Sequence, residues 1–297
     1  MNKELTVLFN SFIYYAEAIR NYRSKTLRNY RQAFGMFLKD TGFRQLEELN
    51  KQAVHDWFIR GRVERHWSAA TFRHYHKYLN QFFKWLIWKK EITENYLDEL
   101  EKPRMESRLP RTLPADSALK VLQASFHLNY RYRFERYRNR AVIAIMLYAG
   151  LRKGEVCNLL LNDVSVENKT IFINQGKGAK DRIIPISQSL NQHLKEYLKD
   201  RSRIKSESIY FFPSIGKRAA FGVKGVDHLI AKLRQKTKLD FSAHTLRHTF
   251  ATLMLEGGCD IYTLSKIMGH TKITTTTIYL YCSKAQMDKS IEMHALN

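Results

Sequence analysis

Apolar residues recur along the first hundred positions at intervals of three and four, the spacing that lines up one face of a helix. LTVLFNSFIYYAEAI (5–19) is the first such segment. SKTLRNYRQAFGMFLKD (24–40) is the second, with Ser24 as its expected N-cap and Leu27, Tyr30, Phe34 and Phe37 on one stripe. NKQAVHDWFIRGR (50–62) opens at Asn50, and SAATFRHYHKYLNQFFKWLIWKKE (68–91) sets Phe72, Tyr75, Leu79, Phe82, Phe83 and Leu86 on one side. Four helices with short connections predict a small bundle whose stripes meet in a core. The pattern then stops. EKPRMESRLPRTLP (101–114) has three prolines and no periodicity, and reads as an interdomain linker.

Beyond the linker, PADSALKVLQASF and RNRAVIAIMLYAG read as helices, the second apolar nearly all round and therefore buried. VSV, KTIFIN and DRIIPIS alternate as short strands, the last two joined by the glycine-containing loop QGKGAK. Helices resume at SLNQHLKEYLKDRSR, GVKGVDHLIAKLRQK, AHTLRHTFATLMLEG and DIYTLSKIMGH, and the tail SKAQMDKSIEMHALN reads as one more amphipathic helix. The expected class is mainly α with one small antiparallel β-sheet. The expected organisation is a helical domain over 1–103, a linker over 104–112 and a second domain over 113–297.

Composition narrows the chemistry. The 297 residues are 44% hydrophobic and 12% aromatic, enough for packed cores, and carry a formal charge of +22. That excess concentrates polyanions, nucleic acid first among them. Both parts are basic, with 17 Lys+Arg against 11 Asp+Glu in residues 1–100 and 33 against 17 in the remainder. Cys157, Cys259 and Cys282 form no CxxC pair, which fits a reducing cytosol. No apolar run reaches the ~20 residues of a membrane span, and MNKELTVLFN lacks a signal-peptide pattern. No membrane partner and a cytoplasmic, nucleoid-associated location are expected.

Candidate chemistry gathers in the second part. Arg152, in AVIAIMLYAGLRKGEV, follows a long apolar run and needs a partner stronger than a surface pair with Glu155; a bound anion is one. Lys177 sits between Gly176 and Gly178 at a hairpin tip, which is either a solvated turn or a lysine carried toward another molecule. HTLRHTF places His244, Arg247 and His248 on one helix face. A divalent metal between the histidines would lie against the Arg247 cation and the HExxH glutamate is missing, so an oxyanion clamp fits better than zinc. His270 follows Gly269 at a helix end, and Tyr279 comes nine residues later. No metal or nucleotide motif is present, GxxxxGK[ST] included.

GLRxxE, a GKG hairpin, HxLRH, GH and a terminal tyrosine, in this order and spacing, resemble the tyrosine recombinase (phage integrase) family, most of all its two-domain Xer-type branch. The resemblance implies a helical, SAM-like core-binding domain and an α/β-type catalytic domain that together clamp double-stranded DNA. It implies that Arg152 and Arg247 grip the scissile phosphate and that Tyr279 attacks it, giving a 3′-phosphotyrosyl link. Lys177 would protonate the departing 5′-oxygen, and His244 and His270 would bond the phosphate or assist proton transfer. His248 is expected to steady its helix, Glu155 to orient, and Tyr281 to be a distant rival nucleophile. No cofactor is implied. Full reaction would take a homo- or hetero-tetramer on two duplexes at an inverted-repeat site, with the tail docking into a neighbour through Met287 and Ile291. Lys25, Arg28, Arg31, Arg73 and Lys77 become candidate DNA contacts, each of which could equally be a solvated face. SFHLNYRYRFERYRNR (125–140) looks longer than the family has there and reads as a DNA-contacting loop or a solvated helix end.

Overall fold

The computed structural model describes residues 3–106, 109–174, 181–204, 206–216, 219–270 and 272–282. The loop 175–180 with Lys177, and the tail 283–297 with Met287 and Ile291, lie outside the described residues. The chain divides into two compact units, Met1–Ser107 and Arg108–Asn297. Residues 101–106 and 109–114 carry neither helix nor strand.

The first unit is a bundle of α1 (Leu5–Ala18), α2 (Ser24–Thr41), α3 (Lys51–Val63) and α4 (Ala69–Trp88). Its core is the expected stripe: Leu27, Tyr30, Phe34 and Phe37 of α2 are buried with Phe72, Leu79, Phe82, Phe83 and Leu86 of α4. Aromatic rings fill it. Phe9 stacks on Phe34 with centroids 3.8 Å apart, and Phe82 meets Phe9 edge-on at 5.3 Å. Two starts are capped as their sequences imply: Asn50 Oδ1 accepts from Ala53 N at 2.9 Å and Ser68 Oγ from Thr71 N at 3.1 Å. Ser24 does not cap α2. It is the first helical residue, and Arg23, extended and without a side-chain cap bond, precedes it.

The second unit holds α5 (Ala115–His127), α6 (Arg133–Tyr148), α7 (Lys153–Asn158), α8 (Gln188–Arg201), α9 (Val223–Thr237), α10 (Ala243–Glu256) and α11 (Ile261–Met268). Between α7 and α8 lies an antiparallel sheet in the order β1 (Val164–Ser165), β2 (Thr170–Ile173), β3 (Arg182–Pro185). Helix α6 is the axis of this unit. Ala141 to Met146 are wholly buried, because α5, α8 and α10 pack against it. Ile171 and Ile173 of β2 and Ile184 of β3 point inward, while the opposed pair Phe172 and Ile183 points outward.

The basic aromatic stretch 125–140 is a loop only over 128–132, between the end of α5 and the start of α6. From Arg133 onward it is the first half of α6. Arg133 Nε donates to Asp200 at 2.9 Å, Arg140 pairs with Glu196, and buried Arg138 donates to the Pro213 carbonyl at 3.1 Å with its guanidinium 3.9 Å above the Phe221 ring. These cations hold α6 to its neighbours. Arg131 and Arg136 stay exposed.

Candidate active site

The site forms where the N-termini of α7 and α10 approach the C-terminus of α11. A helix end leaves its last carbonyls unpaired and partially negative. Here three successive carbonyls at the end of α11 each accept from a different arginine. Arg182 Nε donates to Ile267 O at 2.8 Å, Arg247 Nη2 to Met268 O at 2.7 Å and Arg152 Nη2 to Gly269 O at 3.0 Å. Gly269 ends the helix in the left-handed conformation, with φ of 64°, which turns the chain so that His270 follows at the rim.

Glu155 binds the same three cations. Its two carboxylate oxygens accept from Arg182 Nη1 and Nη2 at 3.0 and 2.9 Å, a bidentate fork. Arg152 Nη1 donates to it at 2.8 Å, and Arg247 Nη1 lies 4.0 Å away. Glu155 also accepts from the backbone N of Arg152 at 2.8 Å, so it fixes the start of α7 as well as the arginine side chain. Burial alone would raise the Glu155 carboxyl; the hydrogen bonds and charges of Arg182 and Arg152 outweigh it and hold the group below the usual carboxylate range.

Arg247 is 4% exposed, and its Nη1 reaches the carbonyl of Gly150. Burial, with the charge of Arg152 added, lowers it to about 10, so it remains a cation at neutral pH. Arg152 has the more open side chain, 36% exposed. Both guanidiniums are anchored, Arg247 within the core and Arg152 at its more open edge.

His270 and His248 are neutral. His270 is lowered to about 4 by burial and by Arg247, Arg152, Arg182 and His248. Its Nε2 lies 3.2 Å from Arg247 Nη2; a guanidinium only donates, so Nε2 accepts and the ring proton sits on Nδ1, 2.8 Å from Thr276 Oγ1. His248 is also lowered to about 4, by burial, His244 and Arg247. Its Nδ1 is 2.7 Å from the Tyr279 hydroxyl. Tyr279 itself is 2% exposed, packed in the turn Thr277–Cys282 against Phe250, Leu255, Leu264 and Met268. His244 lies one helical turn before His248, exposed, with its ring centroid 6.4 Å away.

Arg152 and His270 at two helix ends, Arg247 within α10 and Tyr279 in the turn Thr277–Cys282 thus come into one cluster, separated in sequence by up to 127 positions. Residues 112–286 match the phage integrase family, and residues 8–94 match the phage integrase N-terminal SAM-like domain. The chain is a tyrosine recombinase of the phage integrase family, on its Xer-like branch. It is 33% identical over 207 residues to the tyrosine recombinase XerA of Pyrococcus horikoshii, covering 69% of this chain and 68% of that one. To the tyrosine recombinase XerC of Bacillus subtilis it is 28% identical over 292 residues, covering 95% and 94%. Its fold is similar to a crystal structure of the XerH site-specific recombinase bound to a palindromic difH substrate in a post-cleavage complex, with a TM-score of 0.74 at 22% identity over 96% of this chain and 83% of that one.

Three contributors to the recombinase's site escaped the sequence reading. Arg182 had a signal: in DRIIPIS it is in phase with Ile184 and Ile186, so strand alternation turns it inward opposite Ile173. His248 was placed as a support for its helix, whereas it bonds the Tyr279 hydroxyl. Thr276, fully buried, orients His270, and nothing in TTTT distinguishes it from its neighbours. In the first unit, Lys25, Arg28 and Arg31 of α2 and Arg73 and Lys77 of α4 are all exposed. An Asn29 to Tyr78 bond of 2.8 Å ties those two helices together, and Arg73 Nε donates to Pro103 O at 2.9 Å. Among the described residues no helix is long and apolar enough to cross a membrane.

Proposed function

We propose that this recombinase cleaves and rejoins double-stranded DNA at an inverted-repeat site, with Tyr279 as the nucleophile. The Tyr279 hydroxyl, held within the Arg152–Arg247–His270 cluster, carries the proposal. The non-bridging oxygens of a phosphodiester gain charge as phosphorus becomes five-coordinate, and two guanidiniums fixed by Glu155 and the α11 carbonyls meet that charge without reorganising. Arg152 and Arg247 take those oxygens. His244 and His270 bond the phosphate beside them or assist proton transfer, His270 on exchanging its bond from Arg247 for one to the phosphate. Lys177, five residues before Arg182 in the sequence, protonates the departing 5′-oxygen. The covalent protein–DNA bond keeps the phosphodiester energy, so rejoining needs no ATP, and guanidinium charge serves where other phosphoryl-transfer sites use a metal ion.

In this reading residues 1–103 are the core-binding domain, 104–112 the linker and 113–297 the catalytic domain. The exposed cations of α2 and α4 contact phosphates. Four protomers, of one chain or two, act on two duplexes within the nucleoid, in chromosome dimer resolution or in integration and excision of a mobile element.

Covalent capture tests this. Wild-type protein and Tyr279→Phe are mixed with sheared DNA of the source cell, denatured in detergent, and the attached DNA is sequenced. Fragments retained by wild type alone and ending at one inverted repeat support the assignment. Equal retention by both variants would move the nucleophile to Tyr281. Binding without retention by either would favour a purely architectural role.

A further inference from the structure

The phenol of the nucleophile must lose a proton as it attacks. Arg152, Arg182 and Arg247 cannot accept one, because a guanidinium has no acceptor and stays charged. His270 is spent otherwise: its Nε2 accepts from Arg247 and its Nδ1 proton goes to Thr276. A neutral acceptor stands at the Tyr279 hydroxyl: the ring of His248, with Nδ1 2.7 Å away.

Resting on Tyr279 as the nucleophile, we infer that His248 is a catalytic residue of this recombinase, the base that receives the Tyr279 proton through Nδ1 during strand cleavage. The protons balance. The tyrosine O–H bond breaks as its oxygen bonds to phosphorus, and the proton passes to Nδ1. The bond from phosphorus to the 5′-oxygen breaks, and that oxygen takes a proton from the leaving-group side, where Lys177 is the proposed donor. Rejoining returns both.

Two features fit the assignment. The pair is preorganised: α10 carries His248, and Tyr279 is buried in one cluster with Phe250, Leu255, Leu264 and Met268. The ring is also neutral and able to accept, with burial, His244 and Arg247 holding it near 4. So weak a base is still adequate, because the phenolic oxygen becomes far more acidic than an imidazolium once bonded to phosphorus. The imidazolium formed lies beside His244, Arg247 and His270, and the extra negative charge of the five-coordinate phosphate offsets it.

The test uses the full chain and the inverted repeat recovered by covalent capture, made as a synthetic duplex. His248→Asn keeps a side-chain hydrogen-bonding group near the Nδ1 position without its basicity, and His248→Phe removes both. Each variant is first checked for unchanged melting and DNA affinity. Covalent complex formation is expected to fall about 100-fold in both, the size of a general-base contribution. A duplex with a 5′-bridging sulfur, whose thiolate leaves without a proton, is expected not to restore either. A more acidic fluorinated tyrosine at position 279 is expected to recover part of the loss in His248→Asn. Cleavage by His248→Asn within about threefold of wild type would overturn the inference and leave only a positioning bond. Rescue by the bridging sulfur would overturn it by moving the defect to the leaving group. If wild type itself forms no covalent complex, the assignment of Tyr279 fails too, an outcome distinct from both. Should a variant melt early, the fluorinated tyrosine in the wild-type background decides: with a base in place, acidifying the phenol changes the cleavage rate little, and a large gain in rate would overturn the inference.

Discussion

Arg182 and Glu155 form a buried bidentate pair, the arginine 7% exposed, beside two further guanidiniums that depend on the same carboxylate. Removing one member of such a pair leaves the other charged and desolvated. Arg182→Ala is therefore expected to lower stability by about 3 kcal/mol in denaturant titration and to slow cleavage by letting Arg152 drift. Arg182→Lys restores little, since one ammonium cannot span both Glu155 oxygens and Ile267 O together. His248 and His270 make a second residue-scale prediction. Both stand near 4 when folded and near ~6.5 when unfolded, so between these values the unfolded chain binds more protons. Their contribution to stability is complete above about pH 6.5 and is lost as pH falls toward 4. Melting temperature should drop over that window, and His270→Asn should flatten the drop while lowering the plateau.

At the scale of elements, the approach of α6 to α10 depends on Gly150. Its φ is +62°, and a Cβ there would meet the Phe250 ring at 2.2 Å, while its carbonyl holds Arg247. Gly150→Ala should cost about 2 kcal/mol or more and reduce cleavage further by displacing Arg247, read by thermal melting beside covalent capture. The glycine of GLR is a packing requirement as well as a turn. Helix α11 is as specific in its role: eight residues long, it presents its C-terminal carbonyls to three arginines. The amphipathic pattern marks the helix, but which groups receive its open end depends on α7, β3 and α10 arriving there.

For the whole molecule, the formal charge of +22 predicts binding dominated by counterion release. Log affinity should fall linearly with log salt, and each phosphate contact removed should reduce the slope by about 0.9. Replacing Lys25, Arg28 and Arg31 by Gln should make the dependence shallower by up to about three such steps, weakening all sequences alike. An unchanged slope would make that face of α2 a solvated one. Arg138 and Arg140 should contribute little to the slope, because they are engaged inside the second unit.

The sequence by itself determined the elements and the ingredients. Periodicity marked the bundle stripes from Leu27 to Leu86, the buried α6 and the strand alternation, because which face of an element is apolar is a local property. It also fixed the ordered arginine, histidine and tyrosine motifs that point to phosphate chemistry. What it left open depends on groups distant in the chain. Ser24 begins α2 instead of capping it, with the Arg23 carbonyl accepting from Leu27 N, a boundary that the residue type at 24 does not reveal. The bond from His248 to Tyr279 and the choice of Thr276 over three neighbouring threonines arise only when the turn Thr277–Cys282 packs on α10. The convergence of Arg152, Arg182 and Arg247 on Glu155 and the end of α11 is likewise a tertiary event: each cation is legible alone, and only the fold supplies the carboxylate and carbonyls that let three like charges stand together.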